Sequence, residues 1–424
     1  MAKYVIVGGS VGAIGAVEAI REVDPVGALT VVTEEPMPIY SRPMIGEYLS
    51  NDVPPGMLQY RSDQFWDENM VRAFTGRKAV LINFPEKHVE LEGGARIDFE
   101  KLLIATGSKP FYPRIEGITT KGVFAFTALA DADAVKRRLG ETKNVVVVGG
   151  GLIGVCAAEA LAKRGGDVTI VELQDRILSL LLDATASDIL RKAIQSRGVN
   201  IITGHTVERI EQQENGMVGA AILDNGERLP CGMVVIAIGV RPRTELVLDT
   251  GVKVNRGIVV DRFMRTNLPD VYACGDVAEA YDLISEAGRI LPQWPVAHVS
   301  GRVAGFNMAG EKREYPGGVM MSALKYFDTP VVAAGRTTPE ADDGCEVLVA
   351  HDPIRALYKK VVVKNGVLQG FIFVGDIEKA GILFYLLRNG VDVDAYKDTL
   401  LSEDLGLVSL PEGVRRTMLM RRGL

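Results

Sequence analysis

The stretch NVVVVGGGLIGVCAAEALAKRGGDVTIVE, residues 144–172, decides the fold. It reads as a buried strand (Val145 to Val148), a glycine turn with full G-x-G-x-x-G spacing (Gly149, Gly151, Gly154), a helix, and a second strand ending in Glu172. A strand–turn–helix of this kind brings free backbone N–H groups and the positive end of the helix dipole to one point, where a pyrophosphate can sit. The first glycine makes the tight turn, the second lets the backbone approach the phosphates, and the third lets helix and strand pack closely. A glycine string alone is weak evidence. With a strand before it and an acid closing the next strand it is specific.

The same order occurs at the start of the chain. KYVIVGGSVGAIGAVEAIREVDPVGALTVVTEE (3–35) gives a strand, a glycine loop (Gly8, Gly9, Ser10, Gly12, Ala13), a helix, a strand and then Glu34 and Glu35. Ser10 replaces the second glycine and Ala13 the third. Both are small, and alanine is an accepted third residue. A second framing (Gly9, Gly12, Gly15) would load the helix with more glycine than its stability favours. Further on, KLLIATGSKP (101–110) and VVIAIGVRP (234–242) both end a buried run in Ala-x-Gly-x-x-Pro, each about ninety residues beyond its own loop. One architecture is therefore expected twice, giving two dinucleotide sites.

Composition sets outer bounds. The 424 residues allow two or three domains, and 47% hydrophobic with 24% charged residues is ordinary for a globular enzyme. A net charge of −6 excludes a general nucleic-acid binder. The basic end GVRRTMLMRRGL is read as a solvated tail, with docking as its alternative. MAKYVIVGG runs straight into a strand with no leader pattern, and the longest apolar run, VVVVGGGLIGVCAAEALA, is broken by glycines and Glu159, so no membrane span is expected. Four scattered cysteines (Cys156, Cys231, Cys274, Cys345) without CxxC spacing suit a reducing cytoplasm. The four histidines form no HExxH or Cys/His cluster, so no metal site is expected.

Taken with RGIVVDRFMRTNLPDVYACGDVAEA (256–280), which contains ACGD at 273–276, these motifs make the chain resemble the two-dinucleotide flavoproteins of the pyridine nucleotide–disulfide oxidoreductase superfamily. The resemblance covers nearly the whole chain. It implies an α/β protein with two Rossmann-like FAD- and NAD(P)-binding domains and a C-terminal α+β interface domain. The expected segments are 1–115 and 245–315 for FAD, 116–244 for NAD(H) and 316–424 for the interface domain. By the same resemblance the first loop binds FAD, with Glu34 or Glu35 on the adenosine ribose and the Ala79–Val80 backbone at the adenine. Ala105, Thr106 and Gly107 line the flavin side, and Gly275 and Asp276 meet the ribityl chain. An acid at a strand end can accept a sugar hydroxyl's hydrogen, although Asp276 could equally be a helix N-cap before VAEAY.

LPQWPVAHVSGRVAGFNMAG (291–310) is expected to form a helix from about Pro295, aimed at the flavin, with Trp294 either at the ring edge or in the core and His298 structural. The internal loop (Gly149, Gly151, Leu152, Ile153, Gly154), with Ile238 and Gly239, is the expected NAD(H) site. Glu172 accepts ribose hydroxyls and repels a 2′-phosphate, favouring NADH over NADPH, with Arg176 as a modifier. YKKVVVKNGVLQGFIFVGD (358–376) carries a hairpin signal at Asn365-Gly366 within the interface domain, where a homodimer or larger complex is expected.

Disulfide reductases of this superfamily carry a CxxxxC pair where this chain reads PIYSRPMIGEYLS (38–50), which has no cysteine. Without a thiolate there, disulfide reduction by that route is excluded. The YSRPM wording is similar to NADH-dependent rubredoxin and ferredoxin reductases and to nitrite-reductase flavin modules, which makes Arg42 and Pro43 flavin-adjacent candidates. Glu47 stands where many relatives have lysine and Cys156 where many have glutamate, so both join Trp294 as candidates near the reacting rings, with plain packing the alternative for Cys156. The expected function is an FAD-dependent NADH:acceptor oxidoreductase that passes electrons to rubredoxin, ferredoxin or an Fe–S partner subunit, in either direction. The chain has no Fe–S ligand pattern of its own. The alternatives are an H2O2-forming NADH oxidase, or the NADH-handling flavin subunit of a larger dehydrogenase complex.

Overall fold

The computed structural model describes residues 2–36 and 39–420. The chain divides into two compact units. One comprises residues 1–43, 54–109 and 240–319, and the other residues 44–53, 110–239 and 320–424.

The first unit is built on a seven-stranded sheet. Strands Val71–Thr75, Leu29–Thr33, Ala2–Val7 and Arg96–Ile104 lie side by side and parallel, and Val271–Ala273 also pairs in parallel with the last of these. The antiparallel strands His88–Leu91 and Ala79–Asn83 continue the sheet. Alternate residues explain why the runs read as continuously apolar. Tyr4, Ile6, Val31 and Leu103 enter one core, while Val5, Val7, Val32, Leu102 and Ile104 enter another on the opposite face. The first core is closed by two helices, Val11–Val23 and Trp294–Ala309.

These helices touch backbone to backbone. A Cβ on Gly301 would lie 2.0 Å from the Gly12 carbonyl oxygen, and one on Gly305 would lie 2.4 Å from that of Ala16. Gly15 similarly faces the His298 carbonyl at 2.5 Å. The extra glycines of the first helix, costly by propensity, are thus explained by helix–helix contact. The VAEAY segment departs from the sequence reading. Ala278–Asp282 is a strand pairing with Ile258–Val259 and Ala287–Arg289, so Asp276 is not a helix N-cap. Tertiary pairing overrides the local helical pattern there.

In the second unit the strands Asn200–Thr203, Asp167–Glu172, Asn144–Val148, Met233–Ile236 and Val123–Ala125 form a parallel sheet in that order. Val146, Val148, Val171, Val234 and Ile236 pack on a three-stranded antiparallel sheet (Val207–Gln212, Val218–Leu223, Arg228–Pro230). The C-terminal part is a five-stranded antiparallel sheet ordered Met321–Tyr326, Thr329–Gly335, Val367–Val374, Leu357–Lys364, Glu346–Asp352. Asn365 (φ 50°) and Gly366 (φ 73°) make its expected two-residue turn.

Asp183 ties this sheet to the nucleotide half of the unit. One carboxylate oxygen caps helix Ala184–Ser196 by accepting from the Ala186 N–H (3.0 Å). The other accepts from the Tyr358 hydroxyl (2.7 Å) and the Lys360 ammonium (2.9 Å). Burial alone would raise the Asp183 pKa, but these three donors hold it below the usual carboxylate range.

Two outcomes are expected. Gly301→Ala should destabilise by about 1–3 kcal/mol in chemical denaturation, because overpacking against backbone outweighs the ~1 kcal/mol of helix propensity gained. Asp183→Ala should cost about 3–5 kcal/mol by leaving the Lys360 charge buried and unpaired. In the unsubstituted protein the Asp183 contribution is complete above the unfolded carboxyl value of ~4 and is lost as pH falls through the lower folded value, which a pH series of denaturation curves reads directly.

Candidate functional site

The two glycine turns are the same object built twice. Gly8 (φ 122°) donates its N–H to Val32 O, and the Ala105 N–H donates to Val7 O, both at 2.8 Å. Gly149 (φ 107°) donates to Val171 O, and Ala237 donates to Val148 O, again both at 2.8 Å. In each turn the neighbouring strand's carbonyl fills the space a side chain would need. A Cβ on Gly8 would stand 2.0 Å from Ala105 O, and one on Gly149 2.5 Å from Ala237 O. Only glycine fits a left-handed backbone under such a carbonyl.

The turns differ beyond that point. A Cβ on Gly154 would lie 1.9 Å from Gly149 O, so the internal loop demands its third glycine, whereas Ala13 carries its methyl group buried in the core. Gly9 faces the Thr33 side chain (2.7 Å) and Gly12 the Cys274 sulfur (3.1 Å), so packing accounts for both. Gly151, Gly107 and Gly239 have nothing within 4 Å of an added Cβ. At these three positions the backbone is open to the approach of another group.

In the first unit, the acids expected at the nucleotide are held by arginines. Arg243 Nη1 donates to Glu34 Oε1 at 3.0 Å, and Arg42 pairs with Glu35 while its guanidinium lies 5.5 Å from the Tyr40 ring centroid. Arg42 and Pro43 occupy a short 3-10 turn, Arg42–Met44. Ala79 is buried and Val80 exposed in strand Ala79–Asn83. Asp276, next to Gly275 (φ 70°), accepts a hydrogen bond from Ser108 Oγ at 2.8 Å. Burial pushes its carboxyl pKa up, with Ser108 and the Arg42 charge opposing the shift. The Gly275 N–H donates to Ser300 Oγ (3.1 Å), linking the ACGD turn to helix Trp294–Ala309. Pro295 lies in that helix's first turn, and Trp294 meets Tyr60 edge-on, with ring centroids 5.1 Å apart. His298 pairs with Glu18 (3.2 Å) in the helix–helix contact, a structural place. Thr106 Oγ1 donates to Arg243 O at 2.9 Å.

In the second unit, Glu172 folds back on the glycine loop, accepting from the Gly150 N–H (2.5 Å) and the Gln174 N–H (2.8 Å). Arg176 is turned away, donating to Leu182 O and Asp175. Leu152 and Ile153 open the loop helix, Leu152–Lys163, and Ile238 is partly exposed beside Gly239. Cys156, on this helix, lies against Gly46 of helix Ile45–Ser50, where a Cβ would be 2.4 Å from the sulfur. Burial first, then the Glu47 and Glu159 carboxylates, pushes the thiol up to about 12. That shift favours the protonated thiol at neutral pH.

Ser108, Arg243, Ser300 and the exposed Leu173 beside Glu172 were not singled out by sequence. Only Ser108 had a signal, its place inside the repeated Ala-x-Gly-x-x-Pro strand end. The Pro38 end of the PIYSRPMIGEYLS stretch and the last four residues of the basic tail lie outside the described residues. Among the described residues there is no group of three potential metal ligands, and no helix is long and apolar enough to cross a membrane.

Two sheets with parallel strands at their centres, each with its own glycine turn, have the architecture of a protein that takes two dinucleotides. The chain belongs to the pyridine nucleotide-disulphide oxidoreductase family, whose model matches residues 2–301, and the rubredoxin NAD+ reductase C-terminal domain matches residues 321–391. It is thus an NAD(P)H-dependent flavoprotein whose cofactors are FAD and NAD(H). It is 31% identical to the NADH-dependent phenylglyoxylate dehydrogenase subunit epsilon of Aromatoleum evansii, over 96% of each chain. It is 30% identical to the rubredoxin-NAD(+) reductase of Alcanivorax borkumensis, over 89% of this chain and 96% of that one. It spans about half the length of several other curated relatives. Among solved structures it resembles a NAD-dependent persulfide reductase from A. fulgidus, with a TM-score of 0.85 and 27% identity over 93% of this chain and 78% of that one.

In the folded protein at pH 8, Cys156 should resist a thiol-reactive disulfide reagent for as long as the fold persists, and all four cysteines should react after denaturation. Rapid labelling of Cys156 in the native state, mapped by mass spectrometry, would contradict its protonated, packed condition.

Proposed function

We propose that the chain is an NADH:acceptor oxidoreductase that passes electrons through FAD to a small redox protein or an Fe–S partner subunit. The observation that carries this reading is the pair of turns at Gly8 and Gly149, alike in hydrogen bonding but different in their second and third positions, which suits two different dinucleotides. The match of the C-terminal domain to that of rubredoxin NAD+ reductase and the likeness to a rubredoxin reductase favour a protein acceptor. The likeness to a dehydrogenase subunit favours, as a second reading, work inside a complex. The corresponding division is 1–115 with 245–315 for FAD, 116–244 for NAD(H), and 316–424 as the interface domain.

The residues present fit FAD in the first unit. The cramped Gly8 turn leaves Ser10 and its neighbours' N–H groups for a pyrophosphate. Glu34 or Glu35 accepts from ribose hydroxyls, with Arg243 and Arg42 released toward phosphate charge. Asp276, half-satisfied by Ser108, accepts from a sugar-chain hydroxyl, and its burial strengthens that bond. Pro295 begins a helix whose positive end stabilises negative charge in front of it, and Trp294 shields that edge from water. Bound FAD supplies hydride acceptance and release of single electrons.

In the second unit the open backbone at Gly151, with the N–H groups of Leu152 and Ile153, takes the NADH pyrophosphate. Glu172 turns from Gly150 to the ribose hydroxyls, and Leu173 offers an apolar face to the adenine. Electrons then leave by way of a carrier rather than a thiol, since residues 39–50 offer none.

Anaerobic NADH should bleach the flavin absorbance of the holoprotein. Reoxidation faster by rubredoxin or ferredoxin than by air supports the carrier reading, and the reverse supports an H2O2-forming oxidase. No bleaching would sink both. Ser10→Glu should abolish FAD retention by placing a carboxylate at the phosphates. Glu172→Ala should raise NADPH use relative to NADH roughly fivefold or more, since two charges ~4 Å apart repel by ~1–4 kcal/mol between water and a protein surface.

A further inference from the structure

One face of helix Leu152–Lys163 is gripped by a turn from the C-terminal sheet. Leu152, Cys156, Glu159 and Lys163 recur at four, three and four residues, so they share that face. The hairpin of strands Met321–Tyr326 and Thr329–Gly335 turns through Phe327 (φ 48°) and Asp328 (φ 67°), both left-handed. Such a two-residue turn ordinarily takes Asn-Gly, and a bulky residue there costs ~1–2 kcal/mol. Contacts to its surroundings offset that cost. Phe327 is buried, its N–H donates to Glu159 Oε1 at 2.9 Å, and Asp328 pairs with Arg197 at 2.7 Å. The Tyr326 hydroxyl, also buried, donates to the Leu152 carbonyl at 2.9 Å. Lys163 bonds both Glu159 (3.4 Å) and Asp52 (2.8 Å) at the far end of the helix.

The consequence lies in one peptide plane. The carbonyl of Leu152 and the N–H of Ile153 belong to the same planar amide. Leu152 and Ile153 are the first two residues of the helix, so the Ile153 N–H has no partner within the helix and is available to an anion. A hydroxyl bonded to the carbonyl fixes the tilt of this plane, and it polarises the amide so that the N–H becomes a stronger donor.

We propose that Tyr326 is a positioning residue for the nicotinamide dinucleotide, using the C-terminal hairpin to aim the Ile153 N–H at the pyrophosphate. Phe327 and Glu159 fix the hairpin so that the hydroxyl reaches Leu152. The inference rests on the internal loop being the NADH site, and it adds a residue of the C-terminal domain to that site.

The test uses FAD-loaded protein and compares NADH, ADP-ribose and adenosine as ligands. Tyr326→Phe keeps the ring and removes the hydroxyl. It should raise the dissociation constants of NADH and ADP-ribose about three- to ten-fold, the worth of one hydrogen bond. Adenosine, which lacks a pyrophosphate, should be unaffected, and KM for NADH should rise with little change in kcat. Glu159→Ala, which frees the hairpin, should give the same pattern, and it decides the matter if Tyr326→Phe fails to fold. Unchanged NADH and ADP-ribose affinity in folded variants, or an equal loss for adenosine, overturns the proposal. Gly154→Val separates the two levels. If it leaves NADH binding intact, the loop reading falls and this inference with it. If it abolishes binding while both clamp variants bind normally, only the inference falls.

Discussion

A carbonyl oxygen that occupies the place of a side chain governs both halves of this protein. Ala105 O stands over Gly8 and Ala237 O over Gly149, close enough that no Cβ can exist at either glycine. The contact locks the end of one parallel strand against the start of the next loop. It explains why the glycine turn and the Ala-x-Gly strand end occur as a pair, twice, about ninety residues apart. The turn needs the strand end to shape it, and the strand end needs a residue without a side chain to receive it. The open backbone at Gly107, Gly151 and Gly239 lies within two residues of the strand ends and turns that meet there.

The differences around this shared junction separate the two sites. In the internal loop a second backbone collision, Gly154 on Gly149, draws the helix tight to the strand. In the first loop Ala13 keeps its methyl group, and the close approach moves to the helix–helix contact of Gly12, Gly15 and Ala16 with Gly301 and Gly305 and the backbone around His298. A glycine pattern that looked excessive for one helix is the interface of two. The charges diverge as well. Arginines meet Glu34 and Glu35, while Glu172 is held by backbone amides alone.

The missing thiol chemistry has a packing counterpart. Gly46 presses on Cys156, whose sulfur an added Cβ would meet at 2.4 Å, and burial, followed by the Glu47 and Glu159 carboxylates, raises that thiol's pKa. A glutamate at position 156 would bring a third carboxylate into the same pocket.

The sequence by itself determined the two strand–turn–helix units, the strand closing at Glu172, the helix at Trp294–Ala309 and the turn at Asn365-Gly366. Each is a local matter of glycine φ, apolar period and chain reversal, which neighbouring residues settle among themselves. It also placed Asp276 in the ACGD turn, though not its bond to Ser108. Only the tertiary structure decided that VAEAY is a strand, that Arg243 meets Glu34, and that Tyr326 reaches Leu152, 174 residues earlier in the chain. Those contacts join residues far apart in the chain, and the side-chain hydrogen bonds among them follow no period that a single sequence can display.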